Sequence, residues 1–292
     1  MEKFARLSGY LKETGLLTGA NVYRPGRARR DVLELAHDPA YLDRFIEDRL
    51  SDAERRRLGL PWSEALVRRS LISPNGTLLA ANLALDRGIA CHLAGGTHHA
   101  HRDFASGFCI LNDLAVTALA LLRQRKIARL LIFDCDVHQG DGTARILEQT
   151  PEAFTCSVHC DKNFPTRKAQ SDLDVEIPRG ADDHAYLAAV QGAFEQALAR
   201  AQPQFVLYDA GVDVYSGDPL GLLNVSEAGI FARDVRVLTA LKEAAIPVAT
   251  VIGGGYDDDR EALAQRHAIV VEAAAFVWQG RRPSRAHLEL QL

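Results

Sequence analysis

The chain has 292 residues, 47% of them hydrophobic, with 34 basic against 38 acidic side chains and a formal net charge of -4. That is enough apolar sequence for one large core, expected as a single domain over residues 1–292. The mild acidic excess excludes a global electrostatic drive towards nucleic acid, and no apolar run reaches the ~18 residues of a membrane-crossing helix.

In chain order, MEKFARLSGYLKETG reads as an amphipathic helix without the apolar centre of a signal peptide, so a cytoplasmic location is expected. SDAERRR, from Ser51, opens another helix with its arginines on a solvated face, and Arg281, Arg282 and Arg285 read as a solvated tail. Five apolar runs follow: IACHLAGG (89–96), LLIFDCD (130–136), FTCSVHC (154–160), FVLYDAG (205–211) and VATVIGGG (248–255). Helical patterns lie at 112–126, 143–149, 184–201, 226–245 and 259–279, with Asn112 and Ser226 placed as N-terminal caps. This alternation predicts a mostly parallel sheet with helices on both faces. The cysteines at 91, 109, 135, 156 and 160 form no C-x-x-C pair and read as reduced thiols.

Every predicted strand runs into a polar or glycine-rich cluster: GGTHHAHRD, DCDVHQGDG, SVHCDKN, DAGVDVYSGDPLG and GGGYDDD. Open α/β sheets bind ligands at the carboxyl ends of their strands, so these clusters converge on one crevice. The densest is FDCDVHQGDGT, residues 133–143. A strand continuing through it projects Asp134, Asp136 and His138 to one side and Cys135 and Val137 to the other. Three acids and a histidine beside a buried strand are costly unless a cation neutralises them.

Asp136 and His138 therefore read as two ligands of a zinc-like ion. A catalytic zinc commonly takes a third protein ligand and keeps one position open. Asp218, in SGDPLG, is the candidate, although Asp-Pro also starts turns. His98 and His99 share a glycine-preceded loop, with Asp134 and Asp141 as the spare carboxylates that would fix their tautomers. Backbone acceptors would satisfy a purely structural pair as well. Tyr256 follows Gly254 and Gly255, which let backbone approach a substrate while the phenol donates to a developing oxyanion; a plain loop would show the same pattern.

Together these motifs resemble the zinc-dependent histone deacetylase superfamily, bacterial deacetylase-like amidohydrolases included. The likeness runs from GGTHHAHRDFASGFCILND through DCDVHQGDGT and SVHCDKNFP to DAGVDVYSGDPLG and GGGYD, in the family's order and spacing. It implies an arginase/deacetylase-like α/β fold and one Zn2+ per chain on Asp136, His138 and Asp218. It also implies a structural K+ on Asp134, Asp136, His138, Ser157 and Val158, several through backbone oxygens. His99, backed by Asp141, becomes general base and then general acid. His98, backed by Asp134, becomes an electrostatic partner that helps position water, and Tyr256 polarises the scissile carbonyl. Gly107 and Phe108 match positions lining an acyl-lysine tunnel, with Phe164 as a second wall.

Three departures stand out. Gln139 occupies a position where many relatives have a second histidine, and DVHQGDG resembles the class IV branch, some of whose members prefer long acyl chains. FPTRKAQSD lacks the glycine-rich continuation of class I relatives. The chain also opens on a helix where relatives usually have a strand, so either the start lies downstream or the sheet lacks that strand.

The implied reaction is hydrolysis of an Nε-acyl-lysine or similar acylated amine, acetyl or longer, by metal-activated water. An arginase-like ureohydrolase with two manganese ions is a second class, against which the histidine pair and Tyr256 argue. A non-catalytic acyl-lysine binding module is a third, expected to have lost a histidine, a metal ligand or the tyrosine. Expected partners are acylated lysine peptides or proteins, or small acylated amines, and not nucleic acid. Acyl-chain length and oligomeric state are left open. The arginine- and alanine-rich composition suits a GC-rich bacterial genome.

Overall fold

The computed structural model describes residues 2–285. The chain begins with five helices, α1 (Glu2–Glu13), α2 (Arg30–Leu33), α3 (Pro39–Ile46), α4 (Asp52–Leu58) and α5 (Glu64–Arg87). Strand β1 (Ile89–Cys91), helix α6 (Asp113–Arg123), β2 (Leu130–Asp134), α7 (Asp141–Leu147), β3 (Ala153–Cys160) and β4 (Leu173–Ile177) follow. The remainder is α8 (Asp183–Ala201), β5 (Val206–Asp209), α9 (Glu227–Glu243), β6 (Val248–Val251), α10 (Arg260–His267) and α11 (Ile269–Gln279). Among the described residues no strand precedes β1, and no helix is long and apolar enough to cross a membrane.

All six strands are parallel, in the order β1-β6-β5-β2-β3-β4. Alternating side chains divide the core into two layers. Leu131, Phe133, Val206 and Tyr208 face α1, α8, α9, α10 and α11, whereas Leu130, Ile132, Phe205 and Leu207 face α2 to α7. From β2 the connections run outward to β3 and β4; from β5 they run the other way, to β6. The strand order therefore reverses between β2 and β5, where open α/β sheets leave a crevice at the strands' carboxyl ends.

Some sequence readings need correction. Residues 161–183 hold an unforeseen edge strand, β4, because LDVEI is half-exposed and carries two acids rather than a continuous apolar run. The helix read across 259–279 divides at Ala268, which caps α10 and starts α11. Strand β2 stops at Asp134, and the chain then bends: the Asp136 amide donates to Asp134 Oδ1 and the His138 amide to Asp136 Oδ1, each at 3.0 Å. Cys135 and Val137 nonetheless remain fully buried in the core, so the alternation of sides persists beyond the strand. The tail arginine Arg285 is not solvated as read: it pairs with Glu227 at 2.7 Å. The caps stand as read, Asn112 taking the Ala115 amide and Ser226 the Gly229 amide.

A buried cation ties β2 to β5 from beneath. Arg233 of α9, fully buried, donates Nε to Asp234 Oδ1 at 2.8 Å and Nη1 to the Gly211 carbonyl at 2.7 Å. The same Nη1 reaches Tyr186 Oη at 3.0 Å and the Cys135 carbonyl at 3.4 Å, and Tyr208 Oη donates to Asp234 Oδ1. Removing one member of a buried ion pair strands the other without compensation. Arg233→Met is expected to lower the unfolding free energy by about 3–5 kcal/mol in urea titration; a loss below about 1 kcal/mol would show that Asp234 needs no cation.

Candidate metal centre and histidine pair

Chemistry-bearing side chains gather where β1, β2, β5 and β6 end. His138 Nδ1 lies 3.1 Å from both Asp136 Oδ1 and Asp213 Oδ2. These three side chains bring their ligand atoms within 4.8 Å of one another, all from buried positions. Asp213 also takes the Val137 amide on its other oxygen at 2.8 Å, clamping the β2 exit to the β5 exit. Asp136 Oδ2 accepts the Gly254 amide at 2.7 Å. A Cβ at Gly254 would stand 2.6 Å from that same oxygen, so only glycine lets the β6 loop approach the acids.

Asp218 lies one loop away, outside this trio. Its Oδ2 accepts the Tyr256 amide at 2.7 Å, and its Oδ1 the amides of Leu220 and Gly221 at 2.8 and 3.1 Å. A carboxylate has about four lone-pair positions, so these bonds leave Oδ2 able to ligate. Asp136 and Asp218 are thus joined through the Gly254–Tyr256 segment, whereas Asp213 is the carboxylate that, with Asp136, directly contacts His138. Sequence reasoning passed over Asp213, although it lies within the DAGVDVYSGDPLG cluster.

The histidine pair is built as its carboxylates suggested. His98 Nδ1 meets Asp134 Oδ2 and His99 Nδ1 meets Asp141 Oδ1, both at 2.7 Å, with ring centroids 4.1 Å apart. The N-terminus of α6 positions their loop. Asp113 accepts the Gly96 and Thr97 amides at 3.2 and 2.8 Å, and the Asn112 amide group donates to the carbonyls of His98 and Ala100. A further histidine, His101, reaches the other oxygen of Asp141 at 3.2 Å.

Electrostatics separate the two imidazoles. Burial disfavours charge on both. At His98 the carboxylates of Asp134 and Asp136 outweigh burial and lift it well above the usual range. At His99 burial, reinforced by the charge on His98, holds it down to about 4, leaving a neutral imidazole with Nε2 free to take a proton. Burial also opposes charge on Asp141, yet its bonds to His101 and His99 keep it well below the usual carboxylate range. Asp213 is pushed up to about 7 by burial and then by Asp136.

The walls of the site are apolar. Phe108 and Phe164 are 45% and 43% exposed, unusual for large aromatic side chains, and flank the buried acids and histidines. Phe164 meets His99 edge-on at 4.9 Å, and the Phe108 ring lies 6.0 Å from that of Tyr256. Gly107 and Phe108 both have left-handed backbone, at φ +53° and +63°. A Cβ on Gly107 would fall 2.6 Å from His99 Cδ2. Leu220, 42% exposed, and Lys3 were not foreseen. Lys3 donates to the Gly255 carbonyl at 3.3 Å, and its ammonium stands 5.7 Å from the Tyr256 ring centre. No spacing in the sequence links residue 3 to residue 255.

The donors present suit a divalent metal. Carboxylates and an imidazole are the ligands of zinc and its neighbours, and the acids carry more negative charge than the nearby cations balance. Asp209, directly across from Asp134 in the β2–β5 register, has no hydrogen-bond partner on either oxygen; burial and then Asp134 push it far up.

Fold and site define an α/β protein of the arginase and deacetylase architecture. Residues 1–274 match the histone deacetylase domain, and the chain belongs to the histone deacetylase family. An uncharacterised protein of Picosynechococcus is 46% identical over 279 residues, covering 95% of this chain and 93% of that one. Histone deacetylase 2 of Arabidopsis thaliana is 30% identical over 266 residues, 87% of this chain and 68% of its own. Among solved structures, an HDAC homolog complexed with SAHA gives a TM-score of 0.78 at 23% identity, over 91% of this chain and 76% of that one. Acetylpolyamine aminohydrolase from Burkholderia pseudomallei gives 0.76 at 23% identity, over 94% of this chain and 90% of that one. These two likenesses speak to the fold.

In the metal-free protein, burial opposes protonation of His138, but its bonds to Asp136 and Asp213 prevail and lift it to about 10. A ligating imidazole must be neutral, so loading displaces this proton and affinity rises with pH below that value. Calorimetry of zinc uptake near pH 7, in buffers of different ionisation enthalpy, is expected to report net proton release from the His138–Asp213 pair; proton-neutral uptake would show that binding displaces no proton from it.

Proposed function

We propose that this protein is a cytoplasmic zinc-dependent deacylase that hydrolyses the amide of an Nε-acyl-lysine or a similar acylated amine. The observation that carries this reading is geometric: two adjacent imidazoles, each hydrogen-bonded through Nδ1 to its own carboxylate, stand beside an acid–histidine cluster that could hold a metal. General acid–base hydrolysis needs a proton acceptor that is free at neutral pH, and His99 has that character.

Asp136, His138 and Asp218 would hold the metal, as the family resemblance implies, with Asp213 bracing His138. When bound, the metal supplies Lewis acidity that activates water and polarises the carbonyl. His99 Nε2 takes a proton from the attacking water, and Asp141 stabilises the imidazolium that forms. His99 then returns the proton to the departing amine, giving free amine and carboxylate. His98, held on Asp134, acts as the electrostatic partner that helps position the water. The Tyr256 phenol, pushed up by burial, stays protonated and donates to the developing oxyanion. Phe108 and Phe164 pack along the alkyl stem while Gly107 lets the substrate pass close to His99. A structural potassium ion on Asp134, Asp136, His138, Ser157 and Val158 belongs to the same reading. Ser157 supports it by lying in register with Asp134 across β2 and β3.

One observation favours a binuclear reading: His98, Asp134 and Asp209 form a second group of potential ligands. Against it, His98 and Asp134 meet in a direct 2.7 Å hydrogen bond that a shared cation would have to break. Metal analysis separates the two, one zinc per chain supporting the deacylase and two manganese ions the ureohydrolase. A pure binding module is disfavoured because the sequence retains both histidines, the candidate ligands Asp136, His138 and Asp218, and Tyr256.

The activity is tested with zinc-loaded protein on acetyl-, octanoyl- and myristoyl-lysine peptides, with acetylpolyamine alongside; inactivity towards all four would refute it. Tyr256→Phe is expected to cost about 100-fold in kcat, the typical loss of one oxyanion donor, with metal content unchanged. Near-full activity in that variant would remove Tyr256 from the mechanism.

A further inference from the structure

The residue that sets this sequence apart within its acid–histidine motif, Gln139, makes no hydrogen bond to the acid–histidine cluster. It is 1% exposed and turns away from His138 towards the segment between β3 and β4. Its Oε1 accepts the Ala169 amide at 2.7 Å, and its Nε2 donates to the Ala169 carbonyl at 3.0 Å and to Asp174 Oδ1 at 2.8 Å. Asp174, in β4, takes the Ser171 amide on its other oxygen at 2.8 Å. The far end of the segment is pinned separately: Asn163 donates to the Leu220 carbonyl at 2.6 Å and accepts the Leu222 amide at 3.1 Å. Between these anchors stands Phe164, edge-on to His99, with Lys168 closing the segment on the carbonyls of Asn163 and Pro165.

We propose that Gln139 is a positioning residue for the Phe164 wall, and that it sets specificity for the alkyl stem on the amine side of the scissile bond, not for the acyl chain. The proposal rests on the deacylase reading for the orientation of the substrate. Phe108 and Phe164 are half-exposed while the acids and histidines lie behind them, so whatever enters from solvent packs on these rings before its amide reaches the metal. Two consecutive residues thereby fix both ends of that path. His138 fixes the reacting centre; Gln139 fixes the wall, through two hydrogen bonds to Ala169 in a segment without regular structure and a third to Asp174 of β4 that anchors it to the sheet. A buried side-chain amide with both donors and its acceptor engaged is costly to replace, because each former partner is left without a bond.

The test uses zinc-loaded full-length protein and three peptides bearing Nε-acetyl-lysine, Nδ-acetyl-ornithine and Nε-octanoyl-lysine. Gln139→Glu sets a carboxylate against Asp174 and removes both donors. It is expected to reduce the lysine-over-ornithine preference in kcat/KM about tenfold, the worth of a methylene in a shaped pocket, and to leave the octanoyl-to-acetyl ratio within about twofold. Asp174→Asn in the same chain supplies a donor to the introduced carboxylate and should restore the preference. Ala169→Pro removes the segment's own N–H without touching the core, and should act as Gln139→Glu does should that variant fail to fold. Hydrogen exchange over residues 163–172 should rise in both single variants and fall back in the double one, which a merely destabilised fold would not do. A shift in the acyl ratio with stem preference intact, or unchanged stem preference in a folded variant, would overturn the proposal. Inactivity of the wild type on all three peptides would instead sink the deacylase reading, with the exchange data still deciding whether Gln139 holds the segment.

Discussion

Five carboxylates, Asp134, Asp136, Asp209, Asp213 and Asp218, are buried around the ends of two neighbouring strands, and the surrounding structure answers to that crowding of charge. A buried anion is tolerable only with a cation, a set of donors or a proton. Each is used here. His98 and His138 face Asp134, Asp136 and Asp213; main-chain amides from Val137, Leu220, Gly221, Gly254 and Tyr256 point at the carboxylates. Asp209 takes no hydrogen bond on either oxygen, and burial and then Asp134 push it towards its protonated form. Asp136, His138 and Asp213 are grouped closely enough to hold a metal ion, which would supply further counter-charge.

The same constraint explains the scaffold behind the site. Amides can point inward only where the chain passes close to the acids, so the β6 loop is glycine at three successive positions, and the β2 and β5 exits are locked together by Arg233 from below. Asp113 and Asn112, at the start of α6, do the equivalent for the histidine loop. These groups touch no substrate in the proposed reaction. Their work is to hold the two imidazoles and the acid cluster at fixed separations, which hydrogen-bonded catalysis demands.

Splitting the histidines is the clearest chemical result of this arrangement. Two adjacent imidazoles with adjacent carboxylates would titrate alike in water. Here His98 lies among several carboxylates and keeps its proton, and its charge then helps hold His99 neutral. Asp141 bonds both His99 and His101, one on each carboxylate oxygen. The two rings are thus pushed in opposite directions, His98 up by the carboxylates around it and His99 down by burial and by His98.

The alternating apolar runs from residue 89 onward specified five of the six strands and the helices between them, because buried parallel strands must be continuously apolar. They also placed His98, His99, Asp134, Asp136, His138 and Asp141, since motifs at strand ends are local and their spacing is written in the chain. Strand β4 escaped because an edge strand needs no apolar run. Helix α5 lies outside the runs read from the sequence; it carries Pro74 and Gly76 in its interior, and Gly76 is required there by the close approach of His92. Tertiary structure alone decided that Asp213 meets His138, that Lys3 lies against Tyr256, and that Gln139 bonds Ala169 and Asp174. Each is a contact between distant segments, and no local periodicity encodes which distant segment a side chain will meet.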